Sequence, residues 1–529
     1  MNSIFKKYLD TTEMTDPIKC IGRIVRVQGL LIESRGPQAI IGELCRIELG
    51  TDFHAAEPKQ IQAEVVGLRN DIVQLMAYDE TDGIEIGCRV IATGTRLDVA
   101  VSSKLLGRII DPLGKPLDGK GDIESSVRYP AMASPPDPYH RPRIKEMIST
   151  GIRAIDGLLT VGRGQRLGIF SGSGVGKSTL LGMIARNNSA DVNVIALIGE
   201  RGREVNEFIA NDLGKEGLAR SVIVVTPSNS PPIARLRGAY VATAVAEYFR
   251  DRGMDVMLLF DSLTRFARAQ REIGLASGEP PATRGYPPSM FDSMPKLLER
   301  SGTSDKGTIT GFYTILVDGD DMDEPVSDTV RGIIDGHVIL SRELAQRYHY
   351  PAVDVLKSIS RIADKVTGSA TKKAVGTIRR LLADYSDSED LINVGAYKLG
   401  SNPQIDEAIA KREDIEKFLI QAVDEKSSIQ ETLTAMAKIT GIEIPANEME
   451  VYIPKIVVHD TGEESFEEAP FVPEEEPEPE QKDDVWPAGF NHHEELPSLD
   501  MDEVPRETVM QNNPVSPPAD SGELPLIDF

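Results

Sequence analysis

Three textures of apolar spacing follow one another along the chain, and each predicts a different architecture. Between Cys20 and about Thr95 the apolar residues come in short runs separated by glycine turns: 21–27, 29–33, 39–41, 43–49, 62–66, 72–76 and 88–92. Closely spaced short strands of this kind predict a small β-barrel over residues 20–95. From 151 the runs become continuously apolar (167–170, 192–198, 221–225, 256–260 and 309–317) and alternate with helical stretches. That alternation predicts a parallel sheet with helices on both faces, an α/β domain over 151–372. Over 373–441 the spacing turns helical, first at 375–382 and then from 405 to 437, which predicts an all-helical third unit.

The flanks differ from all three. Ile4, Phe5, Tyr8 and Leu9 share one face of a helix within 1–19. That face either packs on its own body or docks a partner, and spacing alone favours neither. Residues 96–150 read as a connector, turn-rich at 105–118 and proline-dense at 129–142. The segment 442–529 is rich in Glu, Pro and Asp, with apolar residues scattered singly. It has too little apolar surface to offset its ordering entropy and is expected to be disordered.

Charge sharpens this division. The chain carries a formal −25, but residues 456–529 hold 21 acidic residues against two basic ones, a net of −19 that leaves −6 for the rest. A mildly acidic body with few aromatics in its barrel argues against a chain built to grip nucleic acid. No apolar run approaches the length that spans a bilayer, and the N-terminal residues lack the apolar core of a secretory signal. Cys20, Cys45 and Cys88 are isolated, which suggests neither a disulfide framework nor zinc and fits a reducing cytoplasm.

The chemistry is concentrated between the first apolar strand of the central domain and the helix after it. Ser171, Gly172, Ser173, Gly174, Val175, Gly176, Lys177, Ser178 and Thr179 form a glycine-rich turn ending in Lys-Ser. Glycines let successive N–H groups curl toward one point, and the helix N-terminus adds partial positive charge, so the stretch predicts a phosphate cradle. Lys177 would reach the β- and γ-phosphates and Ser178 would hold Mg²⁺. Ser171 stands where such loops usually have their first glycine, a small residue that still lets the turn close. The strand at 256–260 ends in Asp261, in position to help hold the metal. Glu200, at the end of another strand, could polarise the attacking water, with Glu204 steadying it or Arg201; by spacing alone that group also reads as a solvated charge cluster. Arg361 in isolation reads as a surface charge.

Together these segments resemble the rotary-ATPase-related family. The stretch 171–179, Gly199-Glu-Arg-Gly-Arg-Glu-Val205, Leu258 to Glu272 and Tyr350-Pro-Ala-Val-Asp through Ser358-Ile-Ser-Arg361 carry the likeness. Pro351-Ala-Val-Asp-x-x-x-Ser-x-Ser360 resembles the signature of ATP synthase α/β-type subunits. Thr264 to Pro281, Arg284-Gly-Tyr-Pro-Pro-Ser289, Pro295 to Gly302 and Gly319 to Pro325 are in the style of the flagellum-specific, type III protein-export ATPases. The likeness spans roughly 20–441 and leaves the acidic segment without an account.

The resemblance implies a RecA-like P-loop motor under a barrel crown, assembled as a homohexameric ring with ATP sites between neighbours. It implies Glu200 as the catalytic carboxylate, Arg201 grouped with it, Arg361 as a finger reaching the neighbour's γ-phosphate, and Tyr350 packing on adenine. It further implies a cytoplasmic ATPase at the inner face of the membrane. Its expected partners are an elongated stator-like regulator bound through 1–19, a central stalk protein, the membrane export gate, export substrates and chaperones. The nearest rival, a catalytic ATP synthase subunit, usually carries a dense acidic motif in its helical domain, and 395–417 has no such run. An injectisome ATPase stays open as an alternative. A hexameric RNA translocase fits the aromatic-poor barrel badly, and a pseudo-enzyme fits badly with Lys177, Ser178, Glu200, Asp261 and Arg361 all present.

Overall fold

The computed structural model describes residues 21–50, 59–317, 319 and 321–450. The docking helix expected within 1–19 and the acidic segment beyond 450 lie outside the described residues.

Six strands form the expected barrel: β1 (Ile21–Gln28), β2 (Leu31–Arg35), β3 (Glu43–Glu48), β4 (Gln60–Arg69), β5 (Ile72–Ala77) and β6 (Arg89–Arg96). They close in the order β1-β2-β5-β4-β3-β6, every pair antiparallel. Alternate residues point inward, so Ile24, Ile32, Cys45, Ile47, Val65, Leu75 and Val90 make one core. The run at 39–41 is not a strand. Ile40 and Ile41 sit exposed in the β2–β3 loop, because a closed barrel leaves no free edge for a seventh strand to pair with. Cys45 and Cys88 are free thiols buried in the barrel.

The central sheet contains β7 (Ile109–Ile110), β8 (Arg166–Ser171), β9 (Val192–Glu200), β10 (Ser221–Pro227), β11 (Asp255–Asp261), β12 (Thr308–Leu316), β13 (Gly336–Leu340) and β14 (Val353–Ser360). Their order is β14-β13-β8-β12-β11-β9-β10-β7. The sheet is parallel from β13 to β7, and only the edge strand β14 in this order runs antiparallel. Helices α1 (Lys177–Asn187), α2 (Pro232–Asp251) and α3 (Leu263–Ala276) cover it. Alternation along β9 feeds two cores: Val194, Ala196 and Ile198 pack on the α2 side, Ile195 and Leu197 on the α1 side. The strand β7 comes from the middle of the connector, so that segment is built into the sheet rather than strung between domains.

The barrel is fastened to this domain by a buried polar joint. Arg237 of α2 donates to Glu64 of β4 from Nε at 2.9 Å, and Tyr78 Oη donates to the same carboxylate at 2.5 Å.

The helical unit consists of α4 (Ser369–Asn393), α5 (Pro403–Leu419) and α6 (Ile429–Thr440). The helical pattern read from 405 to 437 is therefore two helices, with a break closed by a capping box in which Ser428 and Glu431 bond each other's backbone. The unit shares a core with the central domain: Ile155 and Leu158 pack in one cluster with Leu381, Phe418 and Met436. Its end lies further on than expected. Residues 442–450 belong to the folded body, with Ile444 buried and the Glu448 carboxylate accepting from the Ala370 and Thr371 N–H groups at 3.1 and 2.8 Å. Glu448 thus caps α4, whose own first turn carries no acid, and this tie is invisible in local composition.

Candidate active site

The phosphate loop lies at the C-terminal edge of the parallel sheet, where β8 ends and α1 begins. Gly174 and Gly176 take φ of 78° and 88°, the left-handed region that glycine enters without steric cost. Val175 between them is buried in the core and anchors the loop, while Ser173 and Ser178 are exposed at its mouth. Ser171 ends β8 with its side chain buried and, among the described residues, no hydrogen-bond partner for its Oγ. Thr179 lies beside the Asp212 side chain, whose carboxyl it helps hold down, so it faces the helix flank. A Cβ on Gly176 would stand 3.5 Å from the Tyr350 ring, so that aromatic lies directly against the loop.

Strand order carries the acidic residues to the loop. Asp261 ends β11, and Lys177 Nζ donates to its Oδ1 at 2.5 Å. Thr314, on the neighbouring β12, donates to the same oxygen at 2.7 Å. Glu200 ends β9 on the other side, with Oε1 3.9 Å from Lys177 Nζ and no hydrogen-bond partner among the described residues. Burial, helped by the charge of Asp261, pushes the Glu200 carboxyl up to about 7, against the pull of Lys177 and Arg265. Glu204 lies beside the same carboxyl and adds to the upward push. A carboxyl poised near neutrality beside a cation, at the mouth of a phosphate loop, is suited to accept a proton from water or orient it.

Arg201 does not join this cluster. Its guanidinium is turned to solvent, 74% exposed, and pairs with Glu204 at 2.9 Å. Its place at the N-cap of a short helix directs it outward once Glu200 turns inward. Two residues that sequence reasoning did not assign stand close to the site. One is Thr314, whose strand read only as apolar. The other is Arg265, whose stem crosses Gly199 so closely that a Cβ there would meet its Cβ at 3.0 Å.

Arg361 lies far from its own loop. Ser360 pairs with Gly336 at one end of β13, whereas Leu340 at the other end pairs with Ser171. Four strand steps separate them, about 13 Å at roughly 3.3 Å per residue. The Arg361 side chain is exposed, and it donates a hydrogen bond to the Arg331 carbonyl at 3.2 Å.

Comparisons with known proteins bear on each layer. Residues 24–94 match the ATP synthase alpha/beta family, beta-barrel domain, and residues 151–360 match the nucleotide-binding domain of that family. Residues 367–438 match the T3SS EscN ATPase C-terminal domain. The chain is 57% identical over 438 residues to the flagellum-specific ATP synthase of Treponema pallidum, covering 83% of this chain and 97% of the relative. It is 49% identical over 421 residues to the type 3 secretion system ATPase of Xanthomonas euvesicatoria, covering 79% and 94%. Among solved structures, the assembled ATPase EscN of enteropathogenic E. coli superposes with a TM-score of 0.74 at 44% identity, over 79% of this chain and 99% of that one. EscN in complex with its central stalk EscO gives a TM-score of 0.73.

Proposed function

The chain belongs to the ATP synthase alpha/beta family, among its flagellum-specific and type III secretion ATPases, and from that premise we propose how its residues hydrolyse ATP for protein export. The loop amides and Lys177 take the β- and γ-phosphates, and the Tyr350 ring takes one face of adenine. Glu200 orients the attacking water and accepts its proton. Arg361, too far from its own loop to help there, stabilises the transferring phosphate on a neighbouring subunit in a homohexameric ring. Arg201 is left a supporting role at most, through Glu204.

The donor set fits Mg²⁺. Asp261 offers a carboxylate and Ser178 an exposed hydroxyl beside the loop, and this metal usually takes one or two protein oxygens plus substrate phosphates. Among the described residues no cluster of three or more His, Cys, Asp or Glu forms a closed metal cage, which suits an ion that arrives with the nucleotide. When bound, the ion would supply positive charge that offsets the negative charge of the phosphates.

The observation that carries this reading is the convergence of Lys177, Asp261 and Glu200 from three separate elements onto one edge of the sheet. The test is ATP turnover by purified wild type against Glu200→Gln. Turnover that survives this substitution would remove Glu200 from the mechanism.

The partners follow from the relatives. A central stalk protein would bind the ring, as EscO binds EscN, and residues 1–19 would bind a stator-like regulator. The ring would work in the cytoplasm against the membrane export gate, receiving substrates from chaperones; no helix among the described residues is long and apolar enough to cross a membrane itself. The flagellar apparatus is the first reading because the Treponema and Bacillus subtilis relatives, 57% and 54% identical, are both flagellum-specific. An injectisome is the second, on the 49% identity to the Xanthomonas ATPase.

A further inference from the structure

Gln165 is the residue before β8, and it is 0% exposed. A buried amide is costly unless it is hydrogen-bonded, and this one uses both its nitrogen and its oxygen. Oε1 accepts from the Gly162 N–H at 2.9 Å, within the turn that leads into the strand. Nε2 donates to the Asp335 carbonyl at 3.1 Å and to Ser360 Oγ at 3.0 Å. The first partner stands just before β13 and the second ends β14, so one side chain links three neighbouring strands.

Both partners hold the backbone of Arg361. Ser360 precedes it in the chain, and the Asp335 carbonyl accepts the Arg361 N–H at 2.9 Å. Strand β14 lies at the edge of the sheet, and its pairing with β13 ends where Ser360 meets Gly336. Arg361 is therefore the first residue past the ladder, with an exposed side chain. The point from which its guanidinium leaves the body is fixed by Ser360 and the Asp335 carbonyl, the two groups that Gln165 joins. Asp335 is also tied directly to β8, its carboxylate accepting from the Arg166 N–H and Nε at 3.1 and 3.2 Å. A side chain that must reach a distant reacting group needs such a root, because a displacement of about 1 Å can cost about a hundredfold in rate.

We propose that Gln165 is a positioning residue for Arg361: its amide fixes the root of the finger, so the strand that ends in a chain's own phosphate loop also sets the finger offered to the neighbour. The inference rests on reading Arg361 as that finger, and the experiment separates the two.

Gln165→Met keeps the length and shape of the side chain and removes its hydrogen bonds. In the full-length protein it should lower kcat about ten- to a hundredfold and hold KM for ATP within about twofold, because its own loop is intact. Mixing then locates the defect, with mixed rings verified by mass spectrometry. Gln165→Met mixed with Glu200→Gln should exceed the mean of the two proteins assayed apart. Mixed with Arg361→Ala it should not, since every finger in those rings is impaired. Recovery with Arg361→Ala instead would put the defect at the chain's own loop and overturn the proposal. So would recovery with neither, or a wild-type kcat in assembled Gln165→Met. Ser360→Ala removes the hydroxyl that Gln165 holds, and should lower kcat severalfold with the same mixing pattern. If Gln165→Met does not assemble, Ser360→Ala decides, and a wild-type kcat there would overturn the proposal. The control is Arg361→Ala mixed with Glu200→Gln. Silence in the control would take down the finger reading and this inference with it; recovery in the control alone would take down only this inference.

Discussion

Lys177 and Asp261 satisfy each other across the sheet edge: the loop's only cation lies 2.5 Å from the carboxylate that ends β11. Both side chains are largely buried, and Thr314 donates to the same carboxylate oxygen that Lys177 contacts. A phosphate entering the loop must therefore draw Lys177 from a partner it already has.

That pairing makes Lys177→Ala a test of stability as well as chemistry. Turnover should fall below detection, because no other loop side chain carries positive charge. Breaking a buried pair by deleting one partner costs about 3–5 kcal/mol, so the urea midpoint should drop while the chain stays folded. Lys177→Ala/Asp261→Asn should recover most of the stability and none of the turnover. Normal hydrolysis in folded Lys177→Ala would refute the site.

The position of Glu200 gives a pH signature. Its carboxyl is raised to about 7, so the ionised form that can accept a proton grows in as pH rises through 7, and kcat should climb over that range. Stability should run the other way. The native carboxyl binds its proton more tightly than the unfolded one, so the stabilisation is complete below about pH 4.5 and lost as pH rises through 7. Glu200→Gln removes this loss. Above pH 7 it should be more stable than wild type by up to about 3 kcal/mol, at about 1.4 kcal/mol per pH unit of displacement. Parallel denaturation curves at pH 5 and pH 8 would show the crossover; equal differences at both would contradict it.

Arg361 and Glu200 should complement between chains. Arg361→Ala should bind ATP and hydrolyse it about 10³–10⁵ times more slowly, and Glu200→Gln should also be inactive. With random mixing in a closed ring, roughly a quarter of interfaces would pair an intact Glu200 with an intact Arg361. Activity should return on mixing the two inactive proteins. Silence after mass spectrometry has verified mixed rings would place Arg361 outside a shared site.

Two truncations test where the folded body ends. Stopping after Glu450 keeps Ile444 buried and leaves Glu448 on the α4 N-terminus, and should not move the thermal midpoint. Stopping after Gly441 exposes the start of α4 and removes an apolar contact. Losing a cap costs about 1 kcal/mol and a buried Ile about 1.5–3 kcal/mol, so this chain should melt several degrees lower. Equal midpoints would return 442–450 to the segment that follows.

The sequence was most informative where the chemistry is contiguous. Ser171 to Thr179 are neighbours along the chain, and glycine spacing, Lys-Ser and a flanking strand and helix are local features that need no fold to be read. The barrel strands were legible because one buried face imposes a period of two. The run at 39–41 misled because apolar content says nothing about whether a pairing edge remains. The strand β13 is five residues long and β14 alternates weakly in burial, so neither stood out from the loops around it.

What the sequence determined alone was the inventory: a cradle for phosphate, two strand-ending acids, an arginine of unassigned purpose and an acidic segment set apart by composition. What only the tertiary structure decided was which of these meet. Lys177 and Asp261 are 84 residues apart, and Thr314 lies 53 beyond Asp261. Strand order brings all three to one edge, and that order is fixed by packing between elements that local spacing does not specify. The same register turns Arg201 to solvent and holds Arg361 at the opposite end of β13 from its own loop. Periodicity tells a side chain which face to take; the pairing of distant strands decides what it finds there.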